Sequence, residues 1–462
     1  MIRRLFLGML LLAAPVGAWD EMLVLTTDYA TYGGASTMER NDPWTVDVDV
    51  AVISADAVAR WHDGLVYVVN RGASNLQVLD PGQGYATAYQ VGLGVGRNPQ
   101  DIVFAADGTA WIPCYDEALL LEVNPVDGSI IATYSTAAFA DADGLPETSL
   151  SVRQGDLLAI TCQRLDRNDW WQPAGGSQLL IFDLAVRNWI DGDAAPGLQG
   201  VILSATNPSS QPEPVGDGRR VRIGSAGQYG VLDGGIETVD LVARTSSGLQ
   251  VTELQLGGDL LDFTVVAPDR GYAVISDAAF HTSLVAFDPR DGSGVATVVS
   301  TTGYDLVDVA FDGVANVYLC DRSIGGAGVR VFGAFSGVEL TTTPLGVGRP
   351  PFLIVLPVDP ALTAVTGTPP SPLVLKAPFP NPANPTTRIE FLARPAERLR
   401  IDIMDLRGRR QRTDHIVAGE DGHGFWVFDG RDQSGAFLPS GVYTVGLSGD
   451  GVRTSRSISL VR

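Results

Sequence analysis

Short apolar runs separated by turn-forming pairs recur along most of this chain. The clearest example is residues 99–125, where runs at 101–105, 109–113 and 119–123 alternate with turns. Asp107-Gly108 joins the first two, and Asp-Gly between apolar runs predicts a tight hairpin. Residues 56–92 give four such runs, with Asp63-Gly64 and Pro81-Gly82 at the turns. Further units follow at 149–190, then around RVRIGSAG and GIETVDL, around LDFTVVAPDRG, YAVISD and SLVAFDPRDG, and around LVDVAFDG, NVYLCD and GVRVFGAFSG. Helical periodicity is weak after the N-terminus. The pattern predicts an all-β protein built from repeated antiparallel units.

The third runs align at Asp80, Asn124, Asp183, Asp240 and Asp288, about 44 to 59 residues apart, the repeat length of propeller blades. Asp or Asn there suits a turn start, because its side chain can accept a bond from the backbone two residues on. The segment Leu93-Gly94-Val95-Gly96-Arg97-Asn98-Pro99 returns as Leu345-Gly346-Val347-Gly348-Arg349-Pro350. A strand is expected after each copy. The second, at 352–356, stops at Pro357 and has no unit of its own to complete. Residues 22–53 offer three strands without a leading partner. The two pieces are therefore expected to join, which removes an open sheet edge.

These residues resemble the YVTN/NHL class of β-propeller repeats, carried by VGRNPQDIVFAADGTAWIP and by GLVYVVNRGASNLQVLDPGQG. The resemblance implies a seven-bladed β-propeller over 19–358. It implies no single function, because propellers host binders, scaffolds and enzymes alike. A Pro-rich stretch, 359–378, reads as a linker. Beyond it, short strands are expected at 387–392, 399–404, 424–428, 441–447 and 453–460, enough for a small sandwich. The series Pro380-Asn381-Pro382, Asp405-Leu406-Arg407-Gly408, Asp429-Gly430-Arg431 and Ser440-Gly441-Val442-Tyr443 resembles the type A sorting domain of type IX secretion cargo. It is equally similar to the FlgD-like immunoglobulin-like domain. The resemblance implies an Ig-like β-sandwich at 379–462 and, for sorting domains, recognition by secretion machinery. The tail carries Arg453 and Arg456 where sorting tails commonly have lysine.

Composition adds a compartment. Residues 1–18 have the form of a signal peptide: Arg3 and Arg4, an apolar stretch too short to span a bilayer, then Val16-Gly17-Ala18 before Trp19. A secreted or bacterial cell-surface protein is expected, with no transmembrane segment. The net charge is −21 and Lys376 is the single lysine, which argues against nucleic acid and anionic membranes. Cys114, Cys162 and Cys320 are too far apart for a metal knuckle and fall at equivalent strand ends. Three buried free thiols are expected.

Candidate chemistry is sparse. The four histidines are His62, His281, His415 and His423, and no HExxH, GxSxG, Walker loop or CxxC pair occurs. No organic cofactor is expected. Asp141, Asp143 and Glu147 place hard oxygens around Gly144, a possible calcium site or simply an acidic turn. The insertion 164–176 carries Trp170 and Trp171, which can stack on a polysaccharide or grip a protein ligand, or pack the loop against its neighbour. Asn70, Arg71, Arg97, Tyr115, Asp277, Asp321 and Arg322 are expected on the same face, as ligand-binding residues or as a solvated rim. The reading is a non-catalytic binding or scaffold protein. The alternative is a propeller enzyme, lactonase- or lyase-like, acting in the central funnel.

Overall fold

A computed structural model describes residues 21–193, 195–357, 373–376, 378–393, 398–418, 423–449 and 452–461. The expected signal peptide and most of the expected linker lie outside the described residues. The described chain is almost entirely β, with a single turn of α-helix at Glu253–Leu256.

Up to Val355 the main strands form seven successive antiparallel sheets among the described residues. Sheet 2 is typical: Ala57–His62, Leu65–Asn70, Asn75–Asp80 and Ala86–Gly92 pair in chain order. Its second strand, LVYVVN, is apolar up to its last residue because both faces are covered. Val66 and Val68 pack towards sheet 1, while Tyr67 and Val69 pack towards sheet 3. Side chains alternate between faces along a strand, so a strand buried on both sides loses the wet alternation. The outermost strand, ATAYQVG, is largely exposed and carries smaller and more polar side chains, such as Thr87 and Gln90.

Each interface between neighbouring sheets has its own apolar cluster, and the series is cyclic. The last cluster sets Tyr318, Val329 and Val331 of sheet 7 against Met22, Val24 and Met38 of sheet 1. Sheet 1 itself is made from both ends of this region, in the order Val46–Ser54, Tyr32–Glu39, Glu21–Thr27, Pro351–Val355. The expected joining strand is present, in the register Leu23 to Val355, Val24 to Ile354 and Leu25 to Leu353. The architecture is propeller-like: a closed cycle of small twisted sheets with no open edge between first and last.

The aligned turn residues act as expected. Asp80, Asn124, Asp183, Asp240 and Asp288 each accept a backbone N–H two residues on, at 2.8–3.0 Å. A second repeated device was not read from the sequence. Carboxylates on or beside the innermost strands accept backbone N–H groups from the next sheet's innermost strand. Asp101 takes that of Ser151 at 2.9 Å, Glu213 that of Val265 at 3.1 Å, Asp262 that of Val309 at 3.0 Å and Asp308 that of Ile354 at 2.8 Å. Arg60 adds an ion pair to Asp101 at 3.0 Å.

The C-terminal segment has its own core. A three-stranded sheet (Val374–Leu375, Thr387–Leu392, His423–Phe428) and a four-stranded sheet (Arg410–Val417, Arg398–Met404, Gly441–Gly449, Val452–Leu460) share one apolar cluster. Tyr443 packs in it and donates its hydroxyl to the Pro439 carbonyl at 2.9 Å. Arg410–Val417 was missed because RQRTDHIV has too few apolar residues to read as a strand. The cores are separate, but the modules touch. Gly408, at φ 72°, lies so close to sheet 7 that a β-carbon there would sit 3.1 Å from Asn316 Oδ1.

Candidate functional site

The insertion in sheet 4 is ordered as a small ribbon. Leu165–Asp166 pairs with Gln172–Pro173, and the turn Arg167–Asp169 lies between them. Asp166 accepts the Asn168 N–H at 2.8 Å, which starts that turn. Trp170 and Trp171 follow it at φ 54° and 61°. Left-handed backbone is costly for bulky side chains, so the surrounding contacts hold this conformation.

Arg167 braces Trp171. Its guanidinium meets Glu147 Oε1 at 3.0 Å and Asp116 Oδ1 at 2.9 Å, and donates to the Tyr115 carbonyl at 3.0 Å. It also lies over the Trp171 ring at 4.8 Å and the Tyr115 ring at 5.6 Å from the centroids. These two rings stack on each other with centroids 6.2 Å apart. Cation–π attraction to a partly desolvated guanidinium contributes about 0.5–2 kcal/mol. The result is a fixed aromatic wall.

In front of this wall is a cleft of about 430 Å³, within the range of small-molecule sites, about 300–1,000 Å³. Trp170, Trp171, Gln172 and Pro173 come from the ribbon, Tyr115 from sheet 3, and Asn207, Ser209, Gln228 and Tyr229 from loops of sheet 5. A relay ties the three sheets together. Tyr115 donates its hydroxyl to Gln163 Oε1 at 2.8 Å, and Gln163 Nε2 donates to Asn207 Oδ1 at 3.0 Å. Burial pushes the Tyr115 hydroxyl pKa up, so it stays a donor. No charged side chain lines the cleft among the described residues.

Of the residues singled out in the sequence, the cleft unites Tyr115, Trp170 and Trp171. The others lie elsewhere. Asn70 is buried, accepting the Ser54 N–H and donating to Asn75 and Gln77. Arg71 pairs with Asp56, and Arg97 with Glu117. Asp277 accepts the N–H groups of Ala279 and His281 in an exposed turn. Asp321 is buried against Arg330 at 2.7 Å. Arg322 donates to the Pro351 carbonyl and lies over the Tyr29 ring. Gln163, Asn207, Ser209, Gln228 and Tyr229 were not anticipated. They belong to loops with no composition signal, and only the sheet packing brings them together.

Asp141, Asp143 and Glu147 do converge, with one ligand oxygen from each within 4.8 Å of the others. The set is partly committed. Glu147 Oε1 holds Arg167, and Asp143 Oδ2 accepts the Arg167 N–H at 3.3 Å. Burial raises Glu147 to about 7 and also raises Asp141. Within the trio it is Glu147, together with Asp116 outside it, that holds the guanidinium lying over Trp171, and Asp141 Oδ2 is buried with no hydrogen-bond partner among the described residues.

Comparison with known proteins gives no family. No family model matches the chain, and no curated protein matches it. Solved structures show remote likenesses. PorZ, a surface component of the type IX secretion system of Porphyromonas gingivalis, is 12% identical at a TM-score of 0.45, covering 96% of this chain and 58% of that one. AztD from Citrobacter koseri is 12% identical at 0.44, over 72% and 97%. A Bacteroides fragilis protein provisionally named a 6-phosphogluconolactonase is 11% identical at 0.49, over 74% and 99%.

Proposed function

We propose that the chain is an exported, non-catalytic binding protein: a seven-bladed β-propeller that holds its ligand in the Trp170–Trp171 cleft. Its C-terminal Ig-like sandwich acts as a sorting or attachment module. The observation that carries this reading is the character of the cleft. Its walls are aromatic rings, amides and hydroxyls, suited to holding a ligand, and among the described residues they include no carboxylate, histidine or cysteine. Four carboxylates on or beside the innermost strands, Asp101, Glu213, Asp262 and Asp308, which an enzyme in the central funnel would recruit, each hold a backbone N–H of the next sheet. That supports a structural use for them.

The C-terminal reading rests on the motif series and on a core that is separate from the propeller's. Calcium at the acidic trio is left out of the proposal, because Arg167 already pairs with Glu147 there. The test is fractionation of a host with type IX secretion that expresses the full chain and a form lacking residues 379–462. The full chain is expected at the surface and the shortened form inside, with its propeller folded. A shortened form that still reaches the surface would reduce the module to a structural domain.

A further inference from the structure

The cleft's chemistry narrows its ligand, on the reading that the cleft is the binding site. We infer that it takes a neutral carbohydrate. Three features point there. First, the lining has no charged side chain among the described residues, and Arg167, which lies over the Trp171 ring, is engaged by Glu147 and Asp116. A charged ligand group would be desolvated against neutral walls without a partner, at a cost. The net charge of −21 further disfavours anions.

Second, Gln172 and Gln228 present amides that can both donate and accept, beside Asn207, whose Oδ1 already accepts from Gln163. Sugar hydroxyls need both kinds of partner at close spacing. Third, Trp170 is 88% exposed and Trp171 47%, a large apolar area to leave in water. The C–H face of a pyranose ring covers an indole and leaves the equatorial hydroxyls free to meet the amides. A peptide is a poorer match. The ribbon strand beside the cleft ends in Pro173, which has no N–H to offer an added strand.

The test is a fluorescence and calorimetric titration of the full chain with cellohexaose, xylohexaose, maltohexaose and mannohexaose, and with hexagalacturonate. At least one neutral hexasaccharide is expected to bind and to change tryptophan emission, with hexagalacturonate inert. Raising the salt from about 50 to about 500 mM should leave the affinity within about twofold, since no ion pair forms. Trp170→Ala, at a site too exposed to carry the fold, should weaken binding about tenfold or more. Gln172→Glu should weaken it without altering thermal stability. Binding only of hexagalacturonate, binding unchanged in both variants, or no binding of any neutral sugar would overturn the inference. A tryptic casein digest separates the failures. Peptides retained by the native chain and lost in Trp170→Ala would sink the carbohydrate assignment alone, whereas no cleft-dependent ligand of either class would sink the binding site as well.

Discussion

Leu23 faces Val355 across an antiparallel ladder, although 332 positions separate them (355 minus 23). Trp61 of sheet 2 reinforces the seam by donating its indole N–H to the Val355 carbonyl at 3.1 Å. The last strand of the ring is thus fixed by sheet 1 on its edge and by sheet 2 on its face. This seam should be the ring's weak point. Ile354 donates its N–H to Asp308, so Ile354→Pro removes a bond that links sheets 7 and 1. We expect a loss of about 3 kcal/mol in chemical denaturation. Trp61→Phe should cost about 1 kcal/mol. A normal transition in Ile354→Pro would show that the closure contributes little.

Glu253 gives the protein a pH dependence near neutrality. It is fully buried, accepts the N–H groups of Gly234 and Leu260 at 2.8 and 2.6 Å, and burial raises its pKa to about 7. The folded state therefore holds this proton more tightly than the unfolded state does. Its contribution is complete below the unfolded carboxyl pKa and is lost as pH rises through about 7. Glu147, also raised to about 7, acts in the same direction. The melting temperature should fall between about pH 5 and pH 8, and Glu253→Gln should flatten that slope. A melting temperature that rises over this range would contradict the assignment.

The three thiols are free and buried. Burial pushes Cys114 up to about 12 and raises Cys162 and Cys320 as well, so none offers a thiolate near neutrality. Native protein should be inert to a thiol reagent, and denaturation without reductant should release all three. A missing pair would mean a disulfide between strand ends that the sheets hold apart.

Calcium at about 5 mM, above the weakest extracellular-module affinities of about 1 mM, should leave the melting temperature unchanged, because the Glu147 carboxylate already holds Arg167. A rise that Asp141→Asn abolishes would show that the trio binds the metal. Separately, Arg167→Met should loosen Trp171 and blunt any ligand response, since it removes the ion pair with Glu147 and the guanidinium over the ring.

Much of the fold was legible because it is local. The apolar runs, the Asp-Gly turns and the aligned Asp80, Asn124, Asp183, Asp240 and Asp288 depend on residues close in sequence. Ring closure was legible for a different reason: one strand was left over at one end and one was wanting at the other. The candidate site was legible only in part. Two adjacent tryptophans in an insertion stand out, whereas Gln163, Asn207 and Gln228 are ordinary loop residues.

The two copies of the Gly-Val-Gly-Arg loop mark the boundary. The sequence by itself determined that each precedes an innermost strand. It could not distinguish Val95, which is wholly exposed, from Val347, which is wholly buried. Val347 lies in the cluster between sheets 7 and 1, where Met22 and Tyr318 meet from distant parts of the chain. Arg97 likewise pairs with Glu117, while Arg349 pairs with Asp49 and lies over Tyr32. Strand, turn and repeat follow from backbone geometry and local periodicity, which identical short segments share. Burial, ion pairing and the cleft follow from which sheets become neighbours when the ring closes, and only the tertiary structure decides that.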